Sequence, residues 1–126
     1  MPIRREWIDS ISREAIEWRR TLHCHPQTMY EETFASEFIC QKLSEWDIEY
    51  ERGIAKTGVV ATINGQLNRS NRAIALRADI DALNIVEESG QPWSSETPGK
   101  MHGCGHDGHT ATLLTVYSGP QNLTRQ

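Results

Sequence analysis

The segment Met101–His109, which reads MHGCGHDGH, places one thiol, three imidazoles and one carboxylate within nine residues. Thiolates and imidazoles are the donors that zinc and related divalent ions prefer, and the interleaved glycines permit a tight backbone on which side chains converge. Cys104 and His106 stand two positions apart around a glycine, which suits a turn or an extended loop. The segment predicts that Cys104 and His106 form a metal-ligand pair; a glycine-rich loop with unengaged histidines is the alternative.

A second group of chemically active side chains lies upstream, in Arg77–Asp81, which reads RADID. On an extended segment this alternation directs the three charged side chains to one side. The apolar run Ile74–Leu76 comes directly before them, and α/β enzymes place polar groups at the carboxyl ends of strands, beside the binding crevice. An active-site strand end and a solvated strand end with an Arg–Asp pair both fit the pattern.

Two amphipathic helices are predicted in the N-terminal part of the chain. From Arg4 to about Leu22, apolar residues recur mostly at spacings of three and four among charged ones. This helix should end near His25, because Pro26 lacks a backbone donor and disfavours a helical conformation in the residue before it. The second helix is expected from about Glu32 to Glu45. Its apolar face consists of Phe34, Phe38, Ile39, Leu43 and Trp46.

Beyond these helices the apolar pattern changes to short β-branched or aliphatic runs, which predict strands. The runs are Ile48–Tyr50, Val59–Ile63 and Ala73–Ala78. Asn64-Gly65 supplies a turn, and the polar stretch from Gln66 to Arg72 makes the connection longer than a two-residue hairpin.

The last third of the chain is predicted to contain an irregular connection and one more helix. Glu88 to Met101 is rich in glycine, proline, serine and threonine, a composition typical of loops. A helix should start near Gly108, take in Thr110 to Tyr117 and end at Gly119-Pro120.

Composition narrows the class of protein. A chain of 126 residues fits one domain. Its 13 basic and 17 acidic residues are scattered along the chain, which disfavours nucleic-acid binding. No run of 18 apolar residues is present, so no membrane span is expected, and the charged N-terminus does not continue into a signal-peptide core. Three widely separated cysteines indicate reduced thiols. We expect a cytoplasmic protein, and the sequence leaves its oligomeric state open.

Taken together, these segments resemble the M20 peptidase family, in particular its metallo-amidohydrolases of hippurate hydrolase, N-acyl-amino-acid amidohydrolase and auxin-conjugate hydrolase type. The resemblance runs from about residue 12 to residue 114 and rests on Ala75–Leu83 followed by Gly99–Ala111, with Trp18–His23, Pro26 and Glu31–Thr33 upstream in matching order. It implies an α/β fold, a partial α/β/α sandwich of the zinc-peptidase type lacking the lid domain. Residues 1–126 would form the N-terminal part of the catalytic domain.

The resemblance also implies roles for individual residues. Cys104 and His106 correspond to metal ligands, and Asp79 to an acidic position beside the metals with a supporting role in catalysis. The cofactor would be a divalent ion, zinc or manganese, with two ions in the complete enzyme. The substrate would be a small N-acyl amino acid or related amide, whose amide bond is hydrolysed.

Some positions depart from the family pattern. Gln27 replaces the usual glutamate after proline, Asn84 replaces a proline, and Arg72 and its neighbours replace a common Gly-Pro before the strand, which affects loop geometry rather than ligands. In the family that this chain resembles, the general base is a glutamate of a Glu-Glu pair downstream of the segment that corresponds to Met101–His109, here termed the metal loop. Residues 108 to 126 contain no glutamate. The isolated chain is therefore expected to be inactive.

Two glutamate pairs do occur before the metal loop, Glu31-Glu32 and Glu87-Glu88, and both are expected to be solvated. Two other classes of function remain open from the sequence. One is a non-catalytic metal-binding remnant in which Cys104 and His106 hold zinc with His102 or His109. The other is a reactive-thiol enzyme that uses Cys104 with a histidine.

Overall fold

A computed structural model describes residues 4–65 and 71–123 of the chain. Its elements are, in order, α1 (Arg5–Cys24), α2 (Thr33–Glu45), β1 (Glu49–Ile54), β2 (Gly58–Thr62) and α3 (His106–Leu123). The two strands form an antiparallel sheet. The prediction of an α/β fold is confirmed, whereas the assignment of residues 1–126 to one part of a catalytic domain stays a prediction.

The first helix, α1, has nearly the bounds that the sequence predicts. It ends at Cys24, and the backbone N–H of His25 closes the last turn by donating to the Leu22 oxygen over 3.1 Å. Ile11, Trp18 and Leu22 are buried on one face, at spacings of seven and four that return to the same side of a helix.

The main core lies between α1 and α3. Ile11 and Trp18 of α1 pack with Ala111 and Leu114 of α3, and the Trp18 ring lies 5.6 Å from that of Trp46, centroid to centroid. Burying these apolar side chains holds α3, which begins at the metal loop, against α1. The core thereby positions the first turn of α3, which contains His106 and His109.

The hairpin β1–β2 follows α2 directly. Ile48 donates its backbone N–H to the Leu43 oxygen over 2.9 Å, which closes the end of α2 before β1 begins. The predicted runs Ile48–Tyr50 and Val59–Ile63 thus fall on β1 and β2, as expected. The buried Thr57 hydroxyl donates to Oε2 of Glu32 over 2.7 Å, so the hairpin turn is tied to the start of α2.

The prediction of a strand at Ala73–Ala78 is wrong. This segment has no regular structure and pairs with no strand among residues 4–65 and 71–123, and Ile74 is 91% exposed. A strand needs a neighbour for its backbone groups, and no described segment provides one here. Most of the predicted connection from Gln66 to Arg72 lies outside the described residues.

The last helix is longer than predicted at both ends. It begins at His106 rather than near Gly108, because Gly105 has a φ of 80° that turns the chain into the helix, and the His109 N–H donates to the Gly105 oxygen over 3.0 Å. It also continues through Gly119-Pro120 to Leu123. The proline falls in the final turn, where it removes a single intrahelical hydrogen bond, and the Gly119 backbone is packed near the Trp7 ring.

Residues 84–100 form the predicted irregular connection, closed at its ends by a bridge between Leu83 and Met101. Within the described ranges, no helix is both long and apolar enough to cross a membrane.

Candidate metal centre

The two polar groups singled out in the sequence meet at the bridge between Leu83 and Met101. The backbone N–H of each residue donates to the oxygen of the other, over 2.9 and 3.0 Å. This pairing sets residues 79–83 beside residues 101–106. Gly103 is closely packed here, since a Cβ built on it would lie 2.6 Å from the Cδ1 atom of the exposed Ile85 side chain, which would have to move aside.

The half-buried ring of His106 is held on one side by Asp81. Its Nδ1 atom lies 2.9 Å from both the backbone oxygen and the Oδ1 atom of Asp81. A carbonyl oxygen can only accept a hydrogen bond, so Nδ1 carries the proton and donates. The other ring nitrogen of His106, Nε2, faces the Asp79 carboxylate, 3.4 Å from Oδ2.

Asp79 and His109 complete a compact group of donors with His106. The His109 Nδ1 atom lies 2.7 Å from Asp79 Oδ1, and the rings of His106 and His109 stack with their centroids 5.5 Å apart. Each of the three residues offers one atom that could bind a metal ion, and these atoms lie within 4.8 Å of one another. The hydrogen bond from His109 is the main reason that the pKa of Asp79 is lowered, and burial opposes this shift. Asp79 is therefore held as an anion between two imidazoles.

The structure brings two of the three predicted site residues together. Asp79 lies within contact of His106, although the two are 27 positions apart in the sequence. Cys104 is an exposed free thiol and is not a member of the three-residue donor group found in the described part of the chain. The roles of Cys104 and His106 as ligands, and of Asp79 in catalysis, stay predictions.

Sequence reasoning did not assign a role to Asp81, and it named His109 only in an alternative, as a zinc ligand beside His102. The signal for Asp81 was present, because it alternates with Asp79 in the RADID segment, and the signal for His109 was its position three residues after His106 on a helix. His102, the other histidine of the loop, is buried, and burial lowers its pKa. Its Nδ1 atom has no hydrogen-bond partner in the part of the chain that the structure describes.

The expectation that both glutamate pairs are solvated is wrong for one member of each. Glu32 is buried against Thr57, and the Glu87 side chain is 5% exposed. Burial alone would raise the pKa of Glu87, but hydrogen bonds from the Ser95 backbone, His23 and Ser89 outweigh it and lower the pKa to about 2. Glu87 is therefore an ionised, fully partnered group within the fold.

The chain is similar to characterised hydrolases over most of its length. Residues 75–126 match the family model for peptidase family M20/M25/M40. The chain is 43% identical over 108 residues to the N-acyl-L-amino acid amidohydrolase of Geobacillus stearothermophilus, with 85% of this chain and 28% of the relative covered. It is 39% identical to the hippurate hydrolase of Campylobacter jejuni, with 83% and 27% covered.

Solved structures agree with these sequence matches. The crystal structure of the Bacillus subtilis YXEP protein, described as a dinuclear metal-binding peptidase of the M20 family, superposes with a TM-score of 0.83 at 37% identity, covering 90% of this chain and 32% of that one. The chain thus spans about a third or less of the proteins it matches. On this agreement of sequence and structure, residues 75–126 are a segment of a peptidase M20 domain, and the chain is similar to proteins of that family over most of its length.

Proposed function

We propose that this chain provides part of the metal centre of an amidohydrolase that cleaves the amide bond of N-acyl amino acids. The observation that carries the proposal is the environment of His106. Its Nδ1 atom donates to Asp81, which leaves Nε2, directed at Asp79, as the ring nitrogen that can bind a metal ion. Metal-binding histidines in proteins characteristically donate one ring N–H to a carboxylate or carbonyl oxygen, which fixes the ring and raises the basicity of the other nitrogen.

The donors around His106 fit a divalent ion. Asp79 and His109 contribute a carboxylate and a second imidazole within 4.8 Å, and the exposed thiol of Cys104 lies two residues away along the loop. Imidazole, carboxylate and thiolate are the ligands of zinc, and the first two also bind manganese. We propose zinc or manganese as the metal, and two ions in the complete centre, in line with the dinuclear relative.

The proposed substrate class rests on the relatives. One similar protein is an N-acyl-L-amino acid amidohydrolase and another a hippurate hydrolase. A bound divalent ion supplies Lewis acidity, which lowers the pKa of water and polarises an amide carbonyl. The residues of this chain hold the donors in place: Asp81 fixes the His106 ring, and Asp79 lies between the rings of His106 and His109.

Cobalt(II) binding tests which of these residues are ligands, because thiolate coordination adds an intense near-ultraviolet charge-transfer band to the cobalt spectrum. Titration of the chain with cobalt(II) should give d–d bands that are lost in His106→Asn. If Cys104 is a ligand, the charge-transfer band is present in the parent and absent in Cys104→Ser. Identical cobalt spectra for the parent and His106→Asn would overturn the proposed centre. His25→Asn, outside this group, is the matched control.

A further inference from the structure

The first turn of α3 presents two faces with different neighbours. Asp107, Thr110, Ala111 and Leu114 are buried at helical spacing and begin the face that packs on α1. His106 and His109, three positions apart, lie on another side of the same turn, beside Asp79. The buried face of α3 therefore begins with the carboxylate of Asp107, the residue directly after the proposed ligand His106.

The Asp107 carboxylate is fully enclosed and accepts bonds from three directions. Its Oδ2 atom lies 2.7 Å from His23 Nδ1 and 2.8 Å from Arg19 Nε, both on α1, and its Oδ1 atom accepts the Gly108 N–H over 2.9 Å. Buried carboxylates persist in folds only when they are paired in this way. These contacts fix the backbone of the first turn of α3 relative to α1.

His23 is the centre of this network. It is 2% exposed, and its second ring nitrogen, Nε2, lies 2.8 Å from Oε1 of Glu87. The two ring nitrogens of His23 thus lie within hydrogen-bonding distance of two carboxylates, and the ring links Asp107 to the loop after the RADID segment. Arg19 joins the same network, with its Nε atom 2.8 Å from Asp107 Oδ2 and its Nη2 atom 3.1 Å from His23 Nδ1.

We propose that His23 is a positioning residue for the metal centre: through Asp107 it fixes the first turn of α3 and thereby the direction of the His106 ring. His23 contacts one side of that turn, and Asp81 holds the His106 ring on the other. The consequence for metal affinity rests on the proposed function, whereas the consequence for the order of the first turn does not. An ion pair that only stabilised the fold as a whole would act on all helices alike.

Amide exchange without metal separates local positioning from general stabilisation. The reporter is the His109 N–H, bonded to the Gly105 oxygen, and the reference is the Ser36 N–H in α2, bonded to the Glu32 oxygen. In His23→Leu, the exchange rate of the reporter relative to the reference should rise about 10-fold or more, because the first turn opens locally. In His23→Gln, whose amide retains a donor for Asp107, the rise should be smaller. An unchanged ratio in folded His23→Leu would overturn the proposal.

His25→Gln is the matched control, since His25 stacks on Phe34 and does not contact Asp107. If His23→Leu does not fold, Arg19→Gln takes its place, because Arg19 donates to Asp107 from a half-exposed position, and Arg20→Gln is then the control. Arg19→Gln should raise the exchange ratio about 3-fold or more through loss of one charged donor. No difference between Arg19→Gln and Arg20→Gln would overturn the proposal.

Zinc titration of the same variants connects the first turn to the metal. The zinc dissociation constant should rise about 10-fold in His23→Leu and stay within about 2-fold in His25→Gln. If the parent does not bind zinc but the exchange ratio rises in His23→Leu, the proposed metal function fails and the positioning of the turn stands. If the parent binds zinc and the exchange ratio and zinc affinity of His23→Leu equal those of the parent, the metal function stands and His23 has no positioning role.

Discussion

The Nδ1 atom of His106 lies 2.9 Å from two oxygens of Asp81, one on the backbone and one on the side chain. Two acceptors on one residue hold the ring more firmly than the backbone oxygen alone would, and only the side-chain oxygen can be removed by substitution. Asp81 is therefore the residue that orients His106, and Asp79 faces the other ring nitrogen, Nε2.

Asp81→Ala should weaken zinc binding about 10-fold, at the lower end of the usual range for residues that orient a ligand, because the backbone acceptor remains. Isothermal titration with zinc measures the change. Asp9→Ala, which removes an exposed carboxylate from α1, is the control and should leave the affinity unchanged. Equal affinities in the two variants would refute the orienting role of Asp81.

Glu87→Gln should make the stability of the fold less sensitive to acid. The pKa of Glu87 is lowered from 4.5 to about 2, so its ionised form stabilises the fold above about pH 4.5, and this contribution is lost as the pH falls towards 2. At pH 7 the variant should be less stable by about 2 kcal/mol, the usual contribution of hydrogen bonds to a charged group. Urea unfolding at several pH values should show the difference shrinking below pH 4.5.

Glu88→Gln is the matched control for this prediction, because Glu88 is exposed and adjacent. Its stability relative to the parent should stay within about 0.5 kcal/mol at pH 7. A Glu87→Gln variant that kept a constant difference from the parent between pH 7 and pH 3 would contradict the assignment.

Leu22→Ala tests the packing of α1. Leu22 is 1% exposed, so its truncation leaves a cavity and should cost about 2 to 5 kcal/mol of the free energy of unfolding. Ile8→Ala on the same helix should cost less than about 1 kcal/mol, since Ile8 is 46% exposed. Urea unfolding followed by circular dichroism gives both values, and similar losses in the two variants would contradict the described face of α1.

The sequence predicted the parts of the fold that local patterns determine. The bounds of α1 and α2 follow from helical spacing and from Pro26, and the hairpin follows from its apolar runs. Ala73–Ala78 has an equally clear apolar pattern, but an apolar pattern predicts only that a segment tends to be buried. A strand also needs a neighbouring strand, and the described residues contain none beside this segment. The cytoplasmic location stays a prediction.

The sequence predicted which types of residue form the candidate site, but it did not predict which side chains contact each other there. Asp79 and Asp81 point to one side of an extended segment, so alternation could not decide which carboxylate reaches which nitrogen of His106. The contact between His23 and Asp107 joins residues 84 positions apart, and no local sequence pattern predicts it. Only the packing of α3 on α1 brings these two side chains together.

The 126-residue chain should not hydrolyse N-acetyl or N-benzoyl amino acids at an enzymatic rate, even with saturating zinc or manganese. The family resemblance places the general base in a Glu-Glu pair after the metal loop, and residues 108 to 126 contain no glutamate. Loss of a proton-transfer group commonly costs about 100- to 10,000-fold in rate. Release of free amino acid is compared with metal-only buffer and with Cys104→Ser. Saturable turnover by the chain that is lost in Cys104→Ser would show that another residue acts as base.

The central claim is that His106 holds a divalent ion through its Nε2 atom. Calorimetric titration of the parent and of His106→Asn with zinc, at a pH where both are folded, tests it most directly. The account predicts saturable binding by the parent and an affinity at least about 10-fold weaker in His106→Asn, with His25→Asn like the parent. Equal zinc affinity in the parent and in His106→Asn would contradict it.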